Sequence, residues 1–158
     1  MIEKIIYGAL SDKNDPDGSR RQKHAQIFYT ARRNSKKEPF VKRIAENSGM
    51  NEKSVNKIFD HVFIEKHEIY GELRNFDSSY DMAESFRRLY EGKNILPHDL
   101  ILMKHERLEL ELMKRYNYSQ TEAHILSSTK YNYSEALNKY ERERDLNGKA
   151  WTFGSERR

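Results

Sequence analysis

Between Ile95 and Met113 the chain carries a polar and apolar pattern that sets up the rest of the reading. Pro97 stands where a helix tolerates proline best, at its first position, because the missing N–H would be unpaired there in any case. The consecutive apolar residues Leu100 to Met103 predict a helix with partners around most of its circumference. At helical spacing, positions 98, 102, 105, 109 and 112 form one stripe that reads His, Leu, His, Glu, Leu. His105 and Glu109 therefore share a face with leucines expected to point into the core. Ionisable groups at a core edge cost free energy unless paired. They are either a buried pair that holds the fold or part of a site.

The same pattern reading places elements along the rest of the chain. Ile2, Ile5, Ile6 and Leu10 fit a short helix or strand, and the segment Ser11 to Gly18 has the turn chemistry of a loop. Ser19 is expected to cap a helix to about Arg33 that carries Ala25, Phe28 and Tyr29 on its apolar side. Pro39 opens a short helix, Phe40 to Asn47, which Gly49 can end in the left-handed conformation. Asn51 caps the next helix, whose apolar set is Val55, Ile58, Phe59, Val62 and Phe63. Ile44, Ala45, Gly49, Met50, Val55 and Ile58 occupy the apolar, small and turn positions of a helix-turn-helix pair. His61 and Glu65 are four residues apart, and His67 falls near the expected helix end, where the dipole favours an imidazolium.

Gly71 and Asn75 mark a loop. Asp77, Ser78 or Ser79 caps a helix that carries Met82, Ala83, Phe86, Leu89 and Tyr90 and stops at Gly92, with Asp81, Glu84, Arg87 and Arg88 expected on its solvated side. Tyr116-Asn117-Tyr118-Ser119 recurs as Tyr131-Asn132-Tyr133-Ser134. Ser119 with Glu122 reads as a capping box, and Ser134 reads as the cap of the following helix, to about Leu146. No stretch alternates with period two. The expected fold is all-α: one domain over residues 18–146 with about seven helices, an N-terminal arm and loop at 1–17, and a loosely held tail at 147–158 in which Trp151 and Phe153 can dock.

Composition narrows this further. The 158 residues are 36% hydrophobic and 34% charged, which leaves little apolar material beyond a single core. No run of about 18 apolar residues is present, so nothing is expected to span a membrane. The start, Met1 to Tyr7, is too short and too charged for a signal peptide. The absence of cysteine excludes disulfides, thiolate chemistry and Cys-based zinc sites.

The net charge of +4 says less than its distribution. From Gly18 to Arg43, nine basic residues face one acid, Glu38. Such a cluster marks a polyanion-binding surface, an interface for an acidic partner protein or an ordinary solvated helix face. Arg20, Arg21, Lys23, Arg32 and Arg33 are its candidate nucleic-acid contacts. Lys53, Asn56 and Lys57 are those of the helix-turn-helix pair, where Glu52 would not help with phosphates.

Phosphate-binding glycine loops and an H-E-x-x-H motif are missing; Glu109 stands where the second zinc histidine belongs. What remains is six histidines, His24, His61, His67, His98, His105 and His124, on a helical chain. A histidine oriented by a carboxylate is a general acid/base pair. Two of them with a cation to steady phosphate suffice for metal-free RNA cleavage through the 2′-hydroxyl. Histidine with Asp or Glu can instead hold a divalent metal for hydrolysis. The residue types leave both routes open.

Three segments carry a resemblance: Asp60 to His67, Phe76 to Leu89, and His98 through Glu109. Together they resemble helical C-terminal toxin modules of bacterial polymorphic toxins and phage minor head proteins, over about residues 20–140. The resemblance implies an antibacterial effector domain, delivered from a bacterial cell into a target-cell cytoplasm and neutralised by a cognate immunity protein. Toxin tips of this kind are often nucleases. The positions that it marks for catalysis are His61, His67, Asp81, Asp99, His105, Glu106, Glu109 and His124. The leading expectation is an RNase, with RNA favoured over DNA, in which His105 and Glu109 form an acid/base pair and His61 or His67 is the counterpart. The alternatives are a non-catalytic helix-turn-helix DNA-binding protein, or a helical phage interaction module, either of them cytoplasmic.

Overall fold

A computed structural model describes residues 10–11 and 14–156. The fold is all-α. Helices α1 (Ser19–Asn34), α2 (Lys37–Ser48) and α3 (Glu52–Phe59) lead into a π-helical turn, Asp60–Ile64. A small antiparallel hairpin follows, β1 (His67–Ile69) and β2 (Glu72–Arg74), and then α4 (Tyr80–Glu91), α5 (Pro97–Tyr116), α6 (Gln120–Lys130) and α7 (Tyr133–Glu156). The expected seven helices are present among the described residues; the hairpin, placed around Gly71 where a plain loop is expected, is an addition.

Local chemistry accounts for most boundaries. Asn51 caps α3 by accepting from the Ser54 N–H at 2.8 Å, and Ser79 caps α4 through the Met82 N–H at 3.2 Å. Ser119 caps α6 by accepting from the Glu122 N–H, and its hydroxyl donates to the Glu122 carboxylate, in place of the expected box in which that carboxylate accepts from the Ser119 N–H. Two caps fall elsewhere. Ser19 does not cap α1: the Asp15 carboxylate reaches forward to the N–H groups of Arg20 and Arg21. Asn132, not Ser134, caps α7, accepting from the Glu135 N–H at 2.9 Å. The repeated Tyr-Asn-Tyr-Ser is thus used in two ways, since Asn117 ends α5 in the left-handed conformation while Asn132 starts a helix. Helix α2 begins before Pro39, at Lys37, and α7 runs on past Leu146 to Glu156, through the stretch expected as a tail. Ile2, Ile5 and Ile6, and the side chains of Trp151 and Phe153, lie outside the described residues.

The core is an aromatic knot around Phe63, whose ring lies 5.0 Å from Tyr29, 5.1 Å from Phe59 and 5.1 Å from Phe86, centroid to centroid. Helices α1, α2, α3 and α4 each supply part of it, and α5 adds Leu102, Met103 and Leu110. The α2–α3 pair has the expected helix-turn-helix packing: Ile44, Ala45, Val55 and Ile58 are buried and Gly49 turns with φ 76°. Gly92 ends α4 with φ 71°, and a Cβ there would lie 2.9 Å from the Asn47 amide. That amide donates to the Leu89 carbonyl, so the close approach locks α2 onto the end of α4. Leu100 is 37% exposed, so α5 is enclosed along one stripe rather than all round.

Candidate functional site

Helix α5 brings His105, Glu106 and Glu109 to one side, and all three are buried. Their partners come from two other segments. The π-helical turn supplies His61, and α6 supplies Gln120 and His124, four residues apart and so on one face. Glu109 is the centre. Its Oε2 lies 3.0 Å from His105 Nε2 and 3.2 Å from His124 Nδ1. Its Oε1 lies 3.2 Å from His61 Nε2 and 3.3 Å from Gln120 Nε2. Glu106 presents Oε2 to His61 Nε2 at 3.6 Å. A cavity of about 230 Å³, lined in part by Met82, His105, Glu106, His124, Asn132 and Tyr133, opens onto this group.

The hydrogen-bond pattern restricts the protons. His105 Nδ1 donates to the Tyr131 carbonyl at 2.9 Å, since a carbonyl only accepts. In a neutral ring the Nε2 lone pair then faces the Glu109 carboxylate and His124 Nδ1, at 3.0 and 3.3 Å. His67 Nε2 likewise donates to the His61 carbonyl at 2.8 Å. His67 starts β1 rather than ending a helix, and its ring stacks on Phe76 at 4.2 Å. Burial lowers its pKa, against the helix-end expectation of a stabilised imidazolium.

The carboxyls differ sharply. Burial pushes the Glu109 carboxyl up, but the hydrogen bonds that it accepts when the His105, His124 and His61 rings donate to it outweigh burial and hold its pKa below the usual range. Burial and the Glu109 charge hold Glu106 well above its ordinary value. The hydrogen bond to Glu109 raises His124, the most exposed member of the cluster, against a smaller effect of burial.

Other sequence candidates sit elsewhere. His98 shares the α5 stripe with His105 but lies seven residues away, roughly 10 Å along the axis. It packs against the rings of Tyr133 and Tyr140. Asp99 is fully buried and held by Arg88, with Nε–Oδ2 and Nη2–Oδ1 both at 2.8 Å. Asp99 also accepts from the Leu96 N–H, which makes it the anchor of the α5 N-terminus. Glu84, expected in solvent, is buried and paired with Arg87 at 2.9 Å. Asp81 is exposed, at the rim of the cavity.

The basic residues divide in the same way. Arg20, Lys23, Lys53 and Lys57 are exposed and Asn56 is half-buried. Arg21 is tied to Asp15 at 3.1 Å, Arg32 stacks over Phe28 and Phe40, and Arg33 donates to the Phe63 carbonyl at 2.8 Å. These three serve the fold, whatever else they contact.

Sequence reasoning missed Gln120, for which the spacing to His124 is a usable signal, and Tyr131, which acts through its backbone and leaves none. Compared with family models, curated proteins and solved structures, the chain matches none. No helix among the described residues is long and apolar enough to cross a membrane.

Proposed function

We propose that this chain is a toxin-type effector domain that hydrolyses nucleic acid, RNA in preference to DNA, at the centre built on Glu109. The observation that carries this reading is the convergence of His61, His105 and His124 on one buried carboxylate beside an open cavity. Histidines that merely cap helices or fill a core have no reason to share one acceptor. The three histidines can move protons at the 2′-hydroxyl of RNA or, with Glu109, hold a metal for phosphodiester hydrolysis, and exposed Arg20, Lys23, Lys53 and Lys57 supply charge for phosphates. The resemblance to toxin modules supports delivery into a target cell and a cognate immunity protein. Asp99 drops out of the catalytic set, being consumed by Arg88, and His67 supports His61 from behind through its carbonyl.

Expression in bacteria of the wild-type chain, His105→Ala and Glu109→Gln tests this. The wild type should arrest growth and degrade cellular RNA, and both variants should be harmless. Equal harmlessness of all three, or toxicity with RNA and DNA intact, removes the nuclease reading.

A second reading rests on the α2–α3 pair, whose packing is that of a helix-turn-helix with Lys53 and Lys57 exposed. It expects salt-sensitive duplex binding that Lys57→Ala weakens; no binding at low salt eliminates it.

A further inference from the structure

We infer that the centre is a two-metal site: one first-row transition dication is held by His105 Nε2, His124 Nδ1 and Glu109 Oε2, a second by His61 Nε2, Glu106 Oε2 and Glu109 Oε1, with Glu109 as the bridge. As an account of how the centre works, this rests on the hydrolase reading; as a statement about metal it is read out separately.

The first set is a triangle with sides of 3.0, 3.2 and 3.3 Å. Ligand atoms about 2.0–2.1 Å from a common ion stand roughly 3.0–3.4 Å apart in octahedral or tetrahedral arrangements. The triangle therefore has the edge lengths of a coordination shell. Hydrogen bonding explains it less well. His105 spends its Nδ1 hydrogen on Tyr131, so donation from Nε2 to Glu109 requires a charged ring. His124 Nδ1 points at the same oxygen from 3.2 Å and lies 3.3 Å from His105 Nε2. Two N–H groups would then crowd at one acceptor, whereas two lone pairs and a carboxylate oxygen converging on a cation need no such crowding. The Tyr131 carbonyl behind His105 is the usual support for a metal-binding imidazole, because it fixes the tautomer that leaves Nε2 free.

The second set is built on the other oxygen of the same carboxylate. His61 Nε2 stands 3.2 Å from Glu109 Oε1 and 3.6 Å from Glu106 Oε2. Two buried carboxylates meet at a single imidazole, and a divalent ion supplies the positive charge that one histidine lacks. All ligand atoms of each set lie within 4.8 Å of one another. A carboxylate that turns one oxygen to each set places two ions about 3.5–4 Å apart, the separation at which a metal pair clamps the attacking and leaving oxygens of a phosphodiester. Each set offers three protein ligands, which leaves coordination positions for water and substrate. The donors, three imidazoles with two carboxylates, suit Zn²⁺, Mn²⁺ or Fe²⁺ rather than Ca²⁺.

The full chain, stripped with chelator and titrated with Zn²⁺ and, separately, Mn²⁺, gives the test by calorimetry and by metal analysis of the desalted protein. The expected result is two ions per chain. His124→Ala, a change at the exposed edge, and Glu106→Gln should each leave one ion. Glu109→Gln should weaken both sites at least 100-fold while the far-ultraviolet dichroism stays helical. Should Glu109→Gln unfold, the two single-site variants carry the test. One ion or none in the wild type, or two in Glu109→Gln, overturns the inference. A chain that binds two ions yet spares RNA and DNA keeps this inference and removes the nuclease reading. A nuclease fully active after chelation does the reverse.

Discussion

Arg88 on α4 holds Asp99 on α5 through two parallel hydrogen bonds of 2.8 Å, with Asp99 wholly shielded from water. The pair fixes where α5 begins, and so sets the position of His105, Glu106 and Glu109 one and a half to three turns further on. Removing one partner of a buried pair leaves an uncompensated charge. Arg88→Met is expected to destabilise the fold by about 3–5 kcal/mol in urea titrations. Any activity that survives per folded molecule should equal that of the wild type if Asp99 serves only to anchor α5. A loss of stability under 1 kcal/mol would contradict this assignment.

Glu109→Gln keeps the shape of the side chain and removes its charge. With nucleic acid as substrate, the expected loss of rate is at least ~100-fold. Gln120→Ala, which removes the longest of the contacts to Glu109, at 3.3 Å, and spares the three histidines, should cost far less. A series of initial rates on one labelled RNA compares the two, and similar losses would mean that Glu109 is not the centre.

His98 is buried, and its Nε2 accepts from Arg88 Nη2 at 3.3 Å. Burial and the Arg88 charge lower its pKa, partly offset by Asp99. Tyr133 and Tyr140 cover the rest of the ring. Because the folded pKa lies below the unfolded value of about 6.5, only the denatured chain takes up the proton as pH falls below that value. His98 therefore costs nothing above pH ~6.5 and draws stability down below it, at up to about 1.4 kcal/mol per pH unit until its folded pKa is reached. The stability difference between wild type and His98→Gln, followed by urea unfolding from pH 7.5 to 5, should narrow as the pH drops. A difference that stays level would show that His98 titrates normally.

Phe63 has no exposed surface and touches aromatic rings from α1, α2, α3 and α4. Phe63→Ala should cost about 3–5 kcal/mol. Gly92→Ala should cost less, about 1–2 kcal/mol from its left-handed backbone, plus whatever Asn47 loses by yielding. Thermal melts that rank the two in the opposite order would place the weight of the fold at the α2–α4 junction instead of the aromatic knot.

Sequence and structure part company at a definite physical level. Local chemistry was readable: the Asn51, Ser79 and Ser119 caps, the Gly49 turn and the buried stripe of α5 all follow from residues within one or two turns of each other. The pattern misleads where a distant group competes: Asp15 takes the capping role from Ser19. Nor does it show that Asp99 is bound by Arg88, eleven residues away. The stripe correctly made His98, His105 and Glu109 neighbours on one face. Period alone says nothing about which helix lies opposite each turn, and that decides that His105 meets His124 while His98 meets two tyrosines. His61 gained its place from the π-helical turn, a local widening without a mark in the sequence.

Glu109 joins His61 across 48 residues and His124 across 15. In a chain without cysteine these are long-range cross-links by another route. Ions that bind only the folded arrangement stabilise it by mass action, by about 2.7 kcal/mol at a hundredfold excess over the dissociation constant. With ions held as inferred, the durability of the fold would become a property of the compartment as well as of the polypeptide, rising wherever metal is plentiful.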